Sequence, residues 1–323
     1  MASLQHLGYL PISTATLTEA AELNFDLYVQ YAGRGFAELY RDRHYPLTQA
    51  DLDRLHQGGI DHLYIRWEEK DHYRDYLHNH VLSDPRIPLP ARLRALREVT
   101  RVAFEDALRH SHCDRLVAVA GGFGHDLAGM LAEQTPAFHE LFKTLDHDYY
   151  TFTHACNVST YCAVIALRMG NCDSIELAQM AAGGILHDIG KRHIPVHILN
   201  KNERLSDQEW ELVRQHPVTG YHDLADRGDL TDGQLLMVYQ HHERLDGSGY
   251  PDRAKSSEIH PWAKICAVAD VFDAMSCKRP YRGPVPLPSV ANYFRRFAGQ
   301  LFDTEVVDCW TAEFACADVA VKA

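Results

Sequence analysis

Apolar residues in the later part of the chain recur every three or four positions, which is the spacing of a buried helix face. The pattern is clearest in residues 91–110, 114–134, 155–170 and 174–190. It predicts a mainly α protein, with an all-helical region that extends from residue 91 to residue 323.

The first eighty residues show a different pattern, because short β-like runs surround one helical segment. The runs FDLYVQY and FAELYRD flank a predicted turn at Gly33 and Gly35. The helical segment LTQADLDRLHQGG follows, with Thr48 as its N-cap, and then the run IDHLYIRW. This order predicts a β-β-α-β module, which we interpret as a small α+β regulatory or interaction domain over residues 1–82.

Residues 83–90, with the sequence SDPRIPLP, contain three prolines. A proline cluster between periodic segments is typical of a loop, so we predict a linker here. A chain of 323 residues with 46% hydrophobic and 24% charged residues is long enough for two domains of unequal size. The sequence therefore predicts a small N-terminal domain, a linker and a larger helical domain.

Charge and hydropathy exclude some classes of partner. The net charge of -12 disfavours a nucleic-acid polymer, because phosphate-backbone contacts require a basic surface, although a small phosphate ligand stays open. The first residues, MASLQHLGYLPISTATL, lack the basic flank and apolar run of a signal peptide, and no segment could span a membrane. The eight cysteines include no CxxC pair and predict free thiols. We expect a cytoplasmic protein with no membrane contact.

Several polar residues stand at the ends or on the faces of the apolar helices, where burial is costly unless something binds them. They are His154, His187, Asp188, His216, His241, His242 and Asp270. These five histidines and two aspartates come from five predicted helices, so a helical bundle could bring them to one point. An incidental set would require five unrelated helix ends to be polar by chance.

Imidazole and carboxylate groups in this number favour a metal site. Imidazole suits transition metals, and an aspartate can bridge two ions. Seven ligands are too many for one tetrahedral ion. They suit two metals that share a carboxylate and a hydroxide, an arrangement that serves phosphoryl chemistry.

Four motifs carry a resemblance to a known family. They are HDIGK at 187–191, HP at 216–217, HHERLDGSGYP at 241–251 and VADVFDAMSCKRPYR at 268–282. Over residues 145–316 the chain resembles the HD-GYP subgroup of the HD-domain metal-dependent phosphohydrolases, which hydrolyse the bacterial second messenger cyclic di-GMP. An HD pair alone is weak support, whereas this ordered series is strong.

The resemblance implies two metal positions that share Asp188 as a bridge. One ion would be held by His154, His187, Asp188 and Asp270, and the other by Asp188, His216, His241 and His242. Some family members have a glutamate four residues before the first histidine, which reaches a third metal. This chain has Tyr150 there, and a phenol is a poor ligand. We therefore expect two divalent ions, iron or manganese.

The resemblance also implies residues that contact the substrate. Lys191 would act as a catalytic cation at a phosphate oxygen, while Arg279 and Arg282 would bind phosphates at the mouth of the site. For these two arginines, solvated surface is an equal alternative. Tyr250 of the GYP loop would shape the entrance and contact the substrate or a partner.

The implied function is a cyclic di-GMP phosphodiesterase, in which a metal-bridging hydroxide attacks phosphorus to give linear pGpG and then GMP in a second round. Two alternatives stay open. The chain could hydrolyse another cyclic dinucleotide, or it could be a signalling adaptor that docks a GGDEF-type partner. The sequence does not decide the final product, the signal sensed by the N-terminal domain or whether the chain forms a homodimer.

Overall fold

The computed structural model describes residues 8–19, 23–31, 36–109, 113–145, 151–170, 172–201, 203–278 and 283–317. The chain divides into two compact units, Met1–Asp106 and Ala107–Ala323.

The N-terminal unit contains a four-stranded antiparallel sheet with the strand order β1-β4-β2-β3. The strands are β1 (Tyr9–Ser13), β2 (Leu27–Val29), β3 (Glu38–Arg41) and β4 (His62–Arg66). Alternate residues of β1 and β4 are buried, including Leu10, Ile12, Leu63 and Ile65. Their side chains share one face of the sheet, because successive residues of a strand point to opposite faces.

The predicted β-β-α-β order omitted the first strand. Pro11 lies in the middle of β1 and weakens the strand signal, but β1 is at the edge of the sheet, where the missing amide group of proline is tolerated. The predicted turn at Gly33 and Gly35 lies outside the described residues. The three other strands and the helix between β3 and β4 occur in the predicted order.

Helix α1 (Gln49–Gln57) begins at the predicted N-cap. The Thr48 side chain accepts a hydrogen bond from the Asp51 amide, and the Asp51 carboxylate accepts one from the Thr48 amide. This reciprocal pair is a capping box, which satisfies amide groups that the helix leaves without a partner. Helix α2 (Lys70–Leu77) follows β4 and was not predicted from the sequence.

The predicted linker lies next to a long helix. Helix α3 (Leu89–Arg109) contains the point at which the two compact units divide, well after residues 83–90. Pro88 and Pro90 lie at the start of this helix, where proline is tolerated because the first amide groups have no partner in the helix. The predicted boundary between functional domains stays a prediction.

The C-terminal unit is helical in its described part. Its helices are α4 (Cys113–Glu133), α5 (Phe138–Thr144), α6 (Thr151–Met169), α7 (Ser174–Leu186), α8 (Val196–Leu199), α9 (Asp207–Arg214), α10 (His216–Leu224), α11 (Asp232–Gln240), α12 (Pro261–Ser276), α13 (Leu287–Phe297) and α14 (Thr304–Ala317). The predicted fold, mainly α behind a small α+β unit, is confirmed. Among the described helices, none combines the length and the apolar character needed to cross a membrane.

Helices α6, α7, α11 and α12 pack around the candidate site. Helix α7 packs against α6 and α11, and α12 packs against the same two helices. An aromatic cluster supports this arrangement, because Phe272 of α12 contacts Tyr161 of α6 and Trp310 of α14 with ring centroids 5.0 and 5.1 Å apart. Buried aromatic pairs of this kind stabilise the packing beyond their apolar area. They fix α12 beside α6.

Candidate metal centre

The HD pair lies where helix α7 ends. His187 is the C-cap residue of α7, Asp188 follows it, and a 3-10 turn over Ile189–His193 carries Lys191. Gly190 allows this turn to approach α10, because a Cβ atom at residue 190 would lie 2.0 Å from the His216 carbonyl oxygen. Any larger residue would therefore separate the HD pair from His216.

Other histidines of the predicted set also lie at helix ends. His216 is the first residue of α10 and is followed by Pro217, which suits the first turn of a helix. His241 is the C-cap residue of α11. Helix ends therefore direct these side chains inward, while His154 and Asp270 project from the bodies of α6 and α12.

The described residues contain two groups of candidate ligands, which share Asp188. In the first group, potential ligand atoms of Asp188, His216, His241 and His242 all lie within 4.8 Å of one another. We call His216, His241 and His242 with the shared aspartate the twin-histidine side. His216 Nε2 is 3.2 Å from Asp188 Oδ1 and also 3.2 Å from His241 Nε2.

The second group joins His154, His187 and Asp188 within the same limit. We call these residues, together with the neighbouring Asp270, the His154 side. His154 Nε2 lies 3.5 Å from Asp188 Oδ2 and 3.3 Å from Asp270 Oδ1. Asp270 Oδ2 is 3.8 Å from His242 Nδ1, so this carboxylate lies between the two sides. The structure thus brings all seven predicted ligands together.

Hydrogen bonds orient the imidazoles. The Nδ1 atom of His187 donates to the Gly184 carbonyl oxygen, and that of His216 donates to the Val213 carbonyl oxygen, both at 2.7 Å. Because a carbonyl oxygen can only accept, each Nδ1 carries a proton, and Nε2 is the nitrogen that can bind a metal when the ring is neutral. This is the geometry that a metal-binding histidine requires.

Negative charge and neutral imidazole occupy different positions in the cluster. Burial alone would raise the pKa of Asp188, but Lys191 and His187 lower it well below its ordinary value. Burial, reinforced by neighbouring histidines, lowers the pKa of His241 and that of His242 well below the ordinary value. These two imidazoles are therefore neutral near pH 7, the form that binds a metal.

Two buried polar atoms indicate that the cluster suits cations. Among the described residues, neither His187 Nε2 nor Asp188 Oδ1 has a hydrogen-bond partner. A buried polar atom without a hydrogen-bond partner destabilises the fold by about 1–3 kcal/mol, so such atoms are rare in native proteins unless a ligand binds them. Both atoms lie where the ligand atoms converge, and first-row transition metals bind nitrogen and carboxylate oxygen. The residues present therefore fit divalent metal ions.

Two predicted substrate contacts lie beside the cluster. Lys191 Nζ donates to Asp188 Oδ2 at 2.5 Å. The Tyr250 ring packs against the His242 ring with centroids 4.7 Å apart and ring planes tilted by 32°, and the Arg214 guanidinium lies 4.8 Å from the centre of the same tyrosine ring. The predicted residues Arg279 and Arg282, and Tyr150 at the position of the third-metal glutamate, lie outside the described residues.

Glu243 has a role that the sequence analysis missed. Its buried carboxylate accepts hydrogen bonds from the amides of Asp252 and Ala254, at 2.7 and 3.0 Å. These bonds hold the end of the GYP loop against the segment that carries the twin histidines. Gly249 allows the same approach, because a Cβ atom there would lie 2.5 Å from the Glu243 Cα atom. The signal available in the sequence was an acidic residue directly after the predicted ligands His241 and His242.

A family model described as an HD domain matches residues 130–306, which is more than half of the chain and contains the whole cluster. This chain belongs to the HD-domain family. The predicted family membership is confirmed, and the HD-domain match begins in α4 and ends in α14.

Curated relatives match half or more of the chain, or close to half of it. A cyclic di-GMP phosphodiesterase of Pseudomonas aeruginosa is 29% identical over 255 residues, which cover 73% of this chain and 60% of the relative. A cyclic di-GMP phosphodiesterase of Thermotoga maritima is 38% identical over 50% of this chain and 44% of its own length. The 3′3′-cGAMP-specific phosphodiesterase 1 of Vibrio cholerae is 35% identical over 49% of this chain and 37% of its own length. The chain thus spans less than two thirds of each of these relatives.

A solved structure has the same fold. A protein of Bdellovibrio bacteriovorus described as an HDG"Y"P protein superposes with a TM-score of 0.69, at 18% identity, over 95% of this chain and 99% of that chain. Structural similarity at this level of sequence identity supports the fold of this HD-domain protein. Its chemistry must be inferred from the residues of the site.

Proposed function

We propose that this HD-domain protein is a metal-dependent phosphodiesterase that hydrolyses cyclic di-GMP to linear pGpG. The observation that carries the proposal is the pair of ligand groups sharing Asp188, with Lys191 beside the shared carboxylate. The names of the Pseudomonas and Thermotoga relatives support cyclic di-GMP as the substrate.

The seven residues of the two sides would hold two divalent ions, and we propose iron or manganese because no cysteine belongs to the cluster. Such ions, when bound, polarise phosphoryl oxygens and lower the pKa of water. Asp188 would contribute one carboxylate oxygen to each metal position. Its Oδ1 atom faces His216, whereas its Oδ2 atom faces His154 and His187.

Lys191 and Tyr250 would bind the substrate at the edge of the cluster. The ammonium group of Lys191 is held by Asp188 and can stabilise the negative charge that develops on a phosphoryl oxygen. The Tyr250 ring is fixed between His242 and Arg214, which leaves its position defined before substrate binds. Arg279 and Arg282 remain proposed phosphate contacts.

A second cyclic dinucleotide, 3′3′-cGAMP, is also a candidate substrate. The Vibrio relative is named for it, and the candidate metal ligands and Lys191 would contact phosphate groups and not distinguish one base from another. Hydrolysis of 3′3′-cGAMP is therefore our second candidate. The second round to GMP, docking of a GGDEF-type partner, a regulatory role for residues 1–82 and a cytoplasmic location stay predictions.

The test is hydrolysis by the full chain, purified without oxygen and loaded with iron or manganese. Cyclic di-GMP and 3′3′-cGAMP are assayed in parallel by chromatography, with Asp188→Ala as the inactive control. We expect pGpG from cyclic di-GMP in wild type alone. A folded wild-type protein that holds two ions per chain and turns over neither dinucleotide would contradict the proposed enzyme and favour the adaptor.

A further inference from the structure

His154 differs from the other oriented histidines in the partner of its Nδ1 atom. His187, His216 and His241 donate from Nδ1 to backbone carbonyl oxygens within their own chain segments. His154 Nδ1 instead lies 2.7 Å from Oδ2 of Asp273, a side chain 119 residues away on α12. Among the described residues, the partner of His154 Nδ1 is therefore a carboxylate group on another helix.

Asp273 is fully buried, with 0% of its surface exposed. Its second oxygen, Oδ1, accepts a hydrogen bond from Asn157 Nδ2 at 2.7 Å and one from Cys277 Sγ at 3.2 Å. Because amide and thiol donors surround this carboxylate, it accepts from His154 as well, and the His154 proton is on Nδ1. The lone pair of Nε2 consequently points toward Asp188 and Asp270.

The two sides of the cluster also differ in the number of nearby carboxylates. The His154 side has Asp270 at 3.3 Å from His154 Nε2, the shared Asp188, and Asp273 behind the imidazole. On the twin-histidine side, Asp188 Oδ1 lies 3.2 Å from His216 Nε2 and Asp270 Oδ2 lies 3.8 Å from His242 Nδ1, while the Nδ1 atoms of His216 and His241 contact carbonyl groups. The difference between the sides is therefore the third carboxylate, Asp273. A full negative charge behind an imidazole strengthens it as a ligand more than a carbonyl dipole does.

We propose that Asp273 is a positioning residue that holds His154 with Nε2 toward the cluster and makes the His154 side the tighter of the two metal positions. This inference rests on the metal centre of the proposed function. Carboxylate partners of metal-binding histidines typically change metal affinity by roughly 10–100-fold. Asp273 acts through His154 and does not itself touch the metal positions.

The experiment measures binding of Mn²⁺ to the metal-free full chain by competition with a chelator, at one pH. Wild type should show two dissociation constants. Asp273→Asn should weaken the tighter one by roughly 10–100-fold and leave the weaker one within twofold. His154→Ala and His216→Ala serve as references, because each removes a ligand from one side and identifies which constant belongs to it. If Asp273 only stabilised the fold, its replacement would not weaken one of the two dissociation constants selectively.

Asp223→Asn is the matched control. Asp223 Oδ2 also lies 2.7 Å from a histidine nitrogen, His193 Nε2, but outside the two ligand groups, so both constants should stay unchanged. Asp273→Ser is a second variant, measured in case the asparagine does not fold. Two unchanged constants in either folded Asp273 variant, or equal weakening of both, would overturn the inference. Failure of wild type to bind two ions would instead contradict the proposed function.

Discussion

The two sides of the candidate ligand cluster are built by different means, although they share Asp188. On the twin-histidine side, His216 and His241 are oriented by carbonyl groups three or four residues earlier in the chain. On the His154 side, His187 is anchored in the same local way by the Gly184 carbonyl group, but His154 depends on Asp273 of another helix. The orientation of His154 therefore depends on the packing of α6 against α12, whereas His187, His216 and His241 are oriented within their own chain segments.

Charge follows the same division. Burial would raise the pKa of Asp270, but His154 and other histidines lower it well below its ordinary value. On the opposite side, burial lowers the pKa of both twin histidines. Asp188 and Asp270 are therefore ionised beside neutral twin histidines, and Asp273 adds a further carboxylate behind His154, so a cation is attracted more strongly to the His154 side. Variants that act on both sides, on one side or on neither can test this difference.

The largest effect is expected when the shared residue is removed. Asp188→Ala should lose both ions and abolish turnover, because the carboxylate contacts ligands on both sides and neutralises both cations. Metal content by mass spectrometry and cyclic di-GMP turnover are measured on the same preparation. Retention of both ions at near-normal turnover would show that Asp188 is not the bridge.

Removal of a ligand from one side should have a smaller effect on metal content. His216→Ala should lower the content from two ions to one, because the His154 side keeps its own carboxylate and both of its histidines. Chelator competition then reports a single constant equal to the tighter one of wild type. If His216→Ala lost both ions, the two sides would be one cooperative site and the comparison above would be wrong.

The sequence allowed prediction of the seven clustered residues because they interrupt apolar helices with polar groups, mostly at helix ends. The structure brings these residues together. Asp273 was missed although it lies three residues after Asp270, on nearly the same helix face. A second buried carboxylate gives no signal by itself, because only the fold reveals that His154 and Asn157 surround it.

Predictions near the N-terminus depended on local signals of unequal strength. Thr48 was identified as a helix cap because capping chemistry is contained within four residues. The strand β1 was missed because its pairing partner, β4, is about fifty residues away and Pro11 hides the strand pattern. The sequence patterns therefore did not reveal contacts between residues far apart in the chain, namely the pairing of β1 with β4 and the contact of Asp273 with His154.

A variant of Lys191 should affect chemistry and leave both metal positions intact. Lys191→Ala removes an ammonium group that contacts Asp188 but belongs to neither ligand group. We expect two ions per chain and a fall in turnover of about 10²-fold, the scale of a single electrostatic contact to a transition state. Lys191→Arg should recover part of the rate, since it restores the charge. Loss of an ion from Lys191→Ala would assign the lysine a role in metal retention.

The smallest effect is expected at Tyr250, which lies against the twin-histidine side. Its ring packs between His242 and Arg214, and two substitutions separate the contribution of the ring from that of the hydroxyl group. Tyr250→Phe keeps the ring contacts and should retain two ions, with turnover reduced about fivefold, the value of one hydrogen bond of about 1 kcal/mol. Tyr250→Ala also removes the support of His242 and should weaken the ion on that side alone. Parallel measurement of KM, kcat and both metal constants separates the two contributions. Equal weakening of both ions by Tyr250→Ala would mean that the loop stabilises the whole cluster, and the independence of the two sides would have to be abandoned.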